Sequence, residues 1–425
     1  MRNIDFNLIA CLSREYSCLL IMLIFEINIV LLRIFMSYAK PVDYNTISLH
    51  LKTLTINSTK QMRTANLLSK TTAFAVLMLC VLTSKATIWR VNNNPNYTQG
   101  CNHCFGSLQV ANDTSIVMAG DTIHLEASQT PYVGSGTGGD VILNKRIVIL
   151  GPGYFLSQNP DEQKNSTSAV VVSIVFNPGS EFSILKGVEI ATTSTPDIQI
   201  NTSNILIESC KVDRFIDFRA TTGSPTTSNI VIKKCYVSRL NNSNNNSPAI
   251  TNLNISNSYF YQSFTLTGTP TSGNVTHCYI SNDGSSANWI DITNTIDFIN
   301  NIVNRTSGVS SLNQNNNGIN NVHDNIFIPS PPTWLVGGNN HTETYLTVFP
   351  STGSPDSILN VNPIGICPVC YTAFPGNATF GMYGGADPYR LSGIPNIPAI
   401  YQLASPLNAS QGSTINVNIS TRSND

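Results

Sequence analysis

The chain has 425 residues, of which 11% are charged and 41% hydrophobic, and its formal net charge is −1. That charge fraction is less than half the usual value for a soluble domain, and Asn, Ser and Thr take the place of the missing ions. A coiled coil, a charge-swollen disordered chain and a nucleic-acid binder, which needs a basic stripe against phosphates, are excluded.

Residues 1–86 differ from the rest, holding 9 of the 23 Lys and Arg but only the acids Asp5, Glu15, Glu26 and Asp43. Met62 offers an alternative start. After it come Arg63 and Lys70, an apolar run at Thr71–Leu82 (TTAFAVLMLCVL), and small residues at the −3 and −1 positions of Ser84-Lys85-Ala86. This layout predicts a secretory signal peptide over 62–86, with an apolar run too short to cross about 30 Å of hydrocarbon. Residues 1–61 are then read as an extension ahead of the true start. The competing reading makes Cys18–Met36 a membrane helix, in which Glu26 and Arg33 would each cost on the order of a few kcal/mol. The mature chain is expected to begin at Thr87, to be secreted or held at the cell surface, and to contain no membrane span.

Export sets an oxidising context, so CNHC (Cys101, Cys104) and CPVC (Cys367, Cys370) are read as disulfide candidates rather than zinc ligands. The two pairs lie more than 250 residues apart, outside zinc-ribbon spacing. Closure within each pair and linkage between the pairs both remain open.

From about residue 182 a unit of 20–25 residues recurs. Its clearest copies are ILIESCKV (205–212), IVIKKCYV (230–237), LNISNSYF (253–260) and IDFINNIV (296–303). The sixth position gives a column of anchors: Gly187, Cys210, Cys235, Ser258, Cys278, Asn301 and Asn325. Short strands of period 2 without helical stretches exclude leucine-rich, ankyrin and tetratricopeptide arrays, and a propeller blade needs about 40 residues. One coil of a parallel β-helix fits the length. The fold class is therefore all-β: a single-stranded right-handed parallel β-helix solenoid over 87–350. A Pro/Gly-rich C-terminal cap over 351–425 contains a final strand, STINVNIST. Inward columns are expected at Ile205/Ile230/Leu253/Ile296 and Ile207/Ile232/Ile255/Phe298, with the cysteines inside as small buried groups. Corner asparagines should take left-handed backbone and bond along the stack. Charge is scarce because like charges in one column would repeat at strand spacing, about 4.8 Å.

AGDTIHLEAS (119–128) and PYVGSGTGGDVILNKRIVILGPGYF (131–155) resemble the opening of right-handed parallel β-helix proteins of the pectin-lyase-like class. ATFGMYGGADPYRLSGIPNIPAIYQL (378–403) is similar to the tails of exported β-helix proteins of Bacteroidetes type. The resemblance covers about 88–403. It implies a polysaccharide or cell-surface partner and, for a lyase, carboxylates around Ca²⁺ with an Arg or Lys base nearby.

The nearest match to such a site is KVDRFIDFRA (211–220), where period 2 would put Asp213, Asp217 and Arg219 on one strand face. The plain alternative is a charge-balanced corner. Tyr261 and Trp289 are candidates for stacking on sugar rings. His277, His323 and Asp324 are candidate polar contacts, with His277 and Asp324 in one column. Motifs for acyl transfer, zinc proteolysis and nucleotide chemistry are absent, as are the polygalacturonase Asp pair and Gly-His-Gly. The expectation is a monomeric, non-catalytic surface or matrix module that binds carbohydrate or a partner protein, with no metal or other cofactor and no nucleic acid. The alternatives are a polysaccharide lyase or glycoside hydrolase, with Ca²⁺ in the lyase case, and an adhesive or structural element.

Overall fold

The computed structural model describes residues 86–94, 101–157, 163–191, 197–219, 226–242, 249–266, 272–282, 290–292, 295–305, 322–328, 339–344, 348, 380–406, 408 and 410–422. The signal-peptide and membrane-helix readings, Trp289, Cys367 and Cys370 lie outside them.

The chain is a nearly all-β parallel solenoid. Each coil lays a strand on a first sheet of eleven strands and then bends into a second sheet of thirteen. The pairs along both stacks are parallel, as between Ile205–Glu208 and Thr226–Lys233. Long strands of the second sheet, such as Lys211–Phe218 and Tyr236–Asn241, turn a corner where their register shifts after Val212 and Val237. That sheet therefore wraps two faces, here called the second and third.

Alternation in the sequence becomes columns in space. Trp89, Ile123, Ile149, Leu185, Ile207, Ile232, Ile255, Val275, Phe298 and Val322 share one register position through the first sheet. All but Val322 are buried. Burying each such side chain is worth about 1.5–3 kcal/mol, so this ladder is a principal stabilising term. The second expected column is also present, with Gly273 between Leu253 and Ile296. A Cβ at Gly273 would lie 1.9 Å from the Leu253 carbonyl oxygen, so only glycine permits that approach in the shortest coil.

The anchor column needs one correction. Register aligns Lys186 with Glu208 and Lys233, so Val188, not Gly187, shares the position of Cys210 and Cys235. Gly187 belongs to the preceding column, Ser209, Lys234, Asn257, His277, Asn300 and Asp324, whose members all have positive φ. The small residue there answers a backbone requirement, not a shortage of core space.

Inside the corner, the anchors bond to carbonyls of their own coil and of the one before. Cys210 Sγ donates to Glu208 O (3.3 Å) and Leu185 O (3.6 Å), and Asn325 Nδ2 to His323 O (2.9 Å) and Phe298 O (2.8 Å). Cysteine thus substitutes for the amide. Cys210, Cys235 and Cys278 are free and buried, and burial pushes the thiols of Cys210 and Cys278 to about 12. They are packing groups, not nucleophiles or ligands. Corner asparagines bond along the stack as expected: Asn252 to Asn229 (2.7 Å), Asn229 to Asn204 (2.8 Å), and Asn201 to Asn177 (2.8 Å).

At the amino-terminal end, Cys104–Phe105 pairs with Ile88–Val91. The following helix, Leu108–Asp113, is capped by Ser107 and buries Leu108 and Ala111 over the core. Cys101 bonds to Cys104, so that pair closes on itself.

The described tail differs from a terminal cap. Residues 380–395 run lengthwise along the corner, back toward earlier coils. Gly381 N bonds Asn300 O, Asn257 Nδ2 bonds the carbonyls of Met382 and Gly384, and Asp387 pairs with Lys233 and Lys234. Tyr389 then meets Tyr154 hydroxyl to hydroxyl at 2.6 Å, and Tyr154 N bonds Ser392 O. The reason lies in the second face, whose outward column turns aromatic and aliphatic from Tyr236 onward and is covered there by Phe380, Met382 and Tyr389. Beyond this strap, Ala399–Ala404 pairs antiparallel with the final strand, Asn418–Arg422.

Candidate functional site

The outward column of the second face reads Glu189, Lys211, Tyr236, Tyr259, Tyr279, Ile302 and Ile326 along the stack. It begins ionic and becomes aromatic. Tyr259 and Tyr279 stack at 4.8 Å with their planes 10° apart, and these rings are buried with Phe380, Met382 and Tyr389 of the strap. Tyr261 packs against this cluster and donates its hydroxyl to Asp213 O at 3.1 Å. It braces the corner instead of offering an open platform to a sugar ring.

At the ionic end, Lys211 Nζ lies 2.7 Å from Glu189 and 2.6 Å from Asp213. Burial works against the Lys211 ammonium, but the two carboxylates outweigh it and hold its pKa above the ordinary value. The register shift after Val212 separates the expected pair of acids. Asp213 stays at the corner, while Asp217 aligns with Gln199 and Asn241 on the third face. Asp217 is fully buried, with one oxygen 2.7 Å from Arg219 Nε and the other without a partner. Burial raises its pKa, opposed by Arg219. Period 2 failed here because a strand that turns a corner does not keep its alternation.

Sequence reasoning missed Asp197. It is fully buried, and its Oδ2 accepts the Arg214 N–H at 2.5 Å across the bend, while Oδ1 has no partner. Burial first, and then the nearby Asp213 carboxylate, push its pKa up to about 7. The only sequence signal was its place directly before the alternating Ile198-Gln199-Ile200.

His277 and Asp324 do share a column, but Asn300 stands between them, about 10 Å of stacking in all. Asp324 bonds His323 Nδ1 at 2.7 Å and Asn339 Nδ2 at 2.6 Å, and these bonds hold its pKa below the ordinary value. Burial lowers the pKa of His277, whose ring lies against Gly385 of the strap. These candidates form fixed corners, not a joint site.

A pocket of about 360 Å³ opens elsewhere, at the loops that leave the first face in the earliest coils. It is lined by Asn92–Asn94, Ala127–Thr130, Asn165 and Thr167. Among the described residues every lining side chain except Ala127 is a neutral amide or hydroxyl. Asn93 Nδ2 holds the Thr130 and Pro131 carbonyls (2.8 and 3.2 Å), and Gln129 Nε2 reaches Thr167 Oγ1 at 3.3 Å, so the wall is preformed. Such a lining pairs with hydroxyls without the cost of desolvating a charge.

Among the described residues no three His, Cys, Asp or Glu side chains converge on a point that could hold a metal. Among the same residues no helix is long and apolar enough to cross a membrane. Comparison with family models, curated proteins and solved structures finds no match to this chain.

Proposed function

We propose that the chain is an exported β-solenoid of surface or matrix type that binds neutral oligosaccharide at the amide-hydroxyl pocket. The observation that carries this reading is the uncharged polar lining of Asn92–Asn94, Ser128–Thr130, Asn165 and Thr167. Pairing of the sequence-derived acids supports binding over chemistry, since Asp213 is engaged by Lys211 and Asp217 by Arg219. The helix over the amino-terminal coil weighs against growth by strand addition at that end. The signal-peptide layout supports export, and the likeness of 119–155 and 378–403 to pectin-lyase-like proteins of Bacteroidetes type supports a glycan partner.

The test is retention of the purified protein on a panel of neutral and uronic polysaccharides. Neutral glycans should retain it, and Gln129→Ala with Thr167→Val should weaken retention about tenfold. Absence of retention on every glycan, or retention untouched by the double substitution, refutes the reading.

One observation favours a second reading, a polysaccharide lyase or glycoside hydrolase. At the bend Asp197, with its pKa near 7, is grouped with Asp213, Lys211 and Arg214. Unsaturated product or new reducing ends from the same panel, lost in Asp213→Ala, would establish it.

A further inference from the structure

The first coil is tied down at Asp121, a residue of the GDTI segment that is only 3% exposed. Its carboxylate accepts three N–H groups at 2.8 Å each: Oδ1 that of Thr87, and Oδ2 those of Met118 and the Trp89 indole. Thr87 O in turn accepts Thr122 N at 2.9 Å, so both backbone groups of Thr87 are held by one dipeptide. Trp89 heads the inward ladder and packs against Phe105, beside the Cys101–Cys104 disulfide. The clasp fixes the first rung of the core.

All three donors are neutral. Among the described residues no Lys or Arg forms an ion pair with Asp121. Lys145, whose charge is felt by Asp121, has its ammonium on the carbonyls of Thr114 and Val117 at 2.8 and 2.6 Å. Of the Lys and Arg after residue 86, only the Arg305 side chain lies outside the described ones, on a strand of a late coil paired with Tyr279–Asn282. A buried carboxylate held by neutral donors alone carries a desolvation cost that a cation at the same point would offset.

The compact unit that contains the solenoid begins at Ala86, next to the cleavage point expected from the signal-peptide layout. We propose that the Ala86–Thr87 bond is a processing site whose cleavage creates the missing cation, the Thr87 α-ammonium, which pairs with Asp121 and locks the first coil. The inference rests on the export reading. A signal peptidase hydrolyses the bond: the oxygen of water completes the Ala86 carboxylate, and its two protons convert the Thr87 N–H into NH3⁺. The contact with Asp121 Oδ1 then joins two charges instead of one. Lys85 departs with the leader, so the mature chain has only its own amine for this role. Before cleavage Thr87 N is an uncharged amide, and the first coil opens more readily.

The test exports the full chain from a bacterial host in two forms: the parent, and one with an alanine inserted between Ala86 and Thr87, which keeps Thr87 N an amide after cleavage. Mass spectrometry should find the parent beginning at Thr87 and the other at the inserted alanine. Hydrogen exchange at the Thr122 and Arg90 amides should be about tenfold slower in the parent, while Ile207 and Ile232 exchange alike in both. Asp121→Asn, made in both forms, should abolish that difference. A second measurement leaves the clasp intact: at pH 8 the Thr87 amine of the parent should acylate about tenfold more slowly than the amine of the inserted alanine. Equal exchange in the two forms, equal acylation, or a difference that survives Asp121→Asn overturns the ion pair and leaves export standing. An exported chain that begins elsewhere, or no cleaved product at all, overturns the inference through its premise.

Discussion

Asp197→Asn probes the bend of the solenoid most directly. The carboxyl is fully buried, bonded once to Arg214 N, and pushed by burial and Asp213 from an ordinary 3.8 to about 7. Its folded pKa thus lies above its unfolded one. Below pH 4 both states keep the proton and the fold loses nothing. Between pH 4 and 7 the unfolded chain releases its proton first, so stability falls, and above pH 7 the loss is complete. Three units at 1.36 kcal/mol each make this about 4 kcal/mol. Asparagine keeps the acceptor for Arg214 N and never ionises. Urea unfolding at pH 4, 6 and 8 should therefore show the variant equal to its parent at pH 4 and more stable by up to about 4 kcal/mol at pH 8. Only the difference between the two proteins is diagnostic. Asp217 titrates in the same sense, because burial raises it against Arg219. Glu181 and Asp387, where hydrogen bonds outweigh burial, and Asp324, led by its His323 bond, titrate in the opposite sense. A variant with its parent's pH slope, or one that loses more at pH 8 than at pH 4, refutes the argument.

Four further substitutions bear on the column and the strap. Asn301→Ala should cost about 3 kcal/mol in urea unfolding, since it strips Cys278 N of its acceptor and Val275 O of its donor inside the core. Cys235→Ser should stay within about 1 kcal/mol, because Ser258 fills the same column and bonds Ser256 O as Cys235 bonds Lys233 O. Cys235→Leu should cost about 1–3 kcal/mol by overpacking. Gly153 has φ +105°, and a Cβ there would lie 2.3 Å from Ser392 O, so Gly153→Ala should lift the strap. Hydrogen exchange should then accelerate at Tyr154 and Tyr389 while the Ile207 and Ile232 amides keep their protection.

The solenoid was legible because its physics repeats. A coil that buries Ile207 obliges the next to bury Ile232 at the same place, and that obligation is written as a period. The corner asparagines were legible too, since Asn tolerates left-handed backbone and its amide reaches a neighbour 4.8 Å away. What failed was anything set by a departure from the repeat. Gly187 matched the cysteine column by size, but its φ of +65° assigns it one place earlier. Asp213 and Asp217 matched a strand face, but the strand bends between them. The amide-hydroxyl pocket draws on three separate loops and Asp197 on a contact across coils, so neither leaves a local pattern.

The strap explains why this particular repeat array needs its tail. A solenoid is stabilised by neighbouring coils alone, so its coils can part singly. Here the outward column of the second face turns from Lys211 to Tyr236, Tyr259 and Tyr279, a stripe that water would leave exposed. The strap covers it with Phe380, Met382 and Tyr389, and bonds to coils as far apart as those of Asn300 and Tyr154. Opening one coil therefore also strains contacts several coils away, which couples units that the repeat alone would leave independent. The left-handed corner makes that close approach feasible. Gly187 and Gly153 leave room for Pro395 and Ser392, and Asn257 turns its amide outward to the strap carbonyls. The glycines and prolines that break the period after residue 380 are the form a chain must take to lie flat along such a corner.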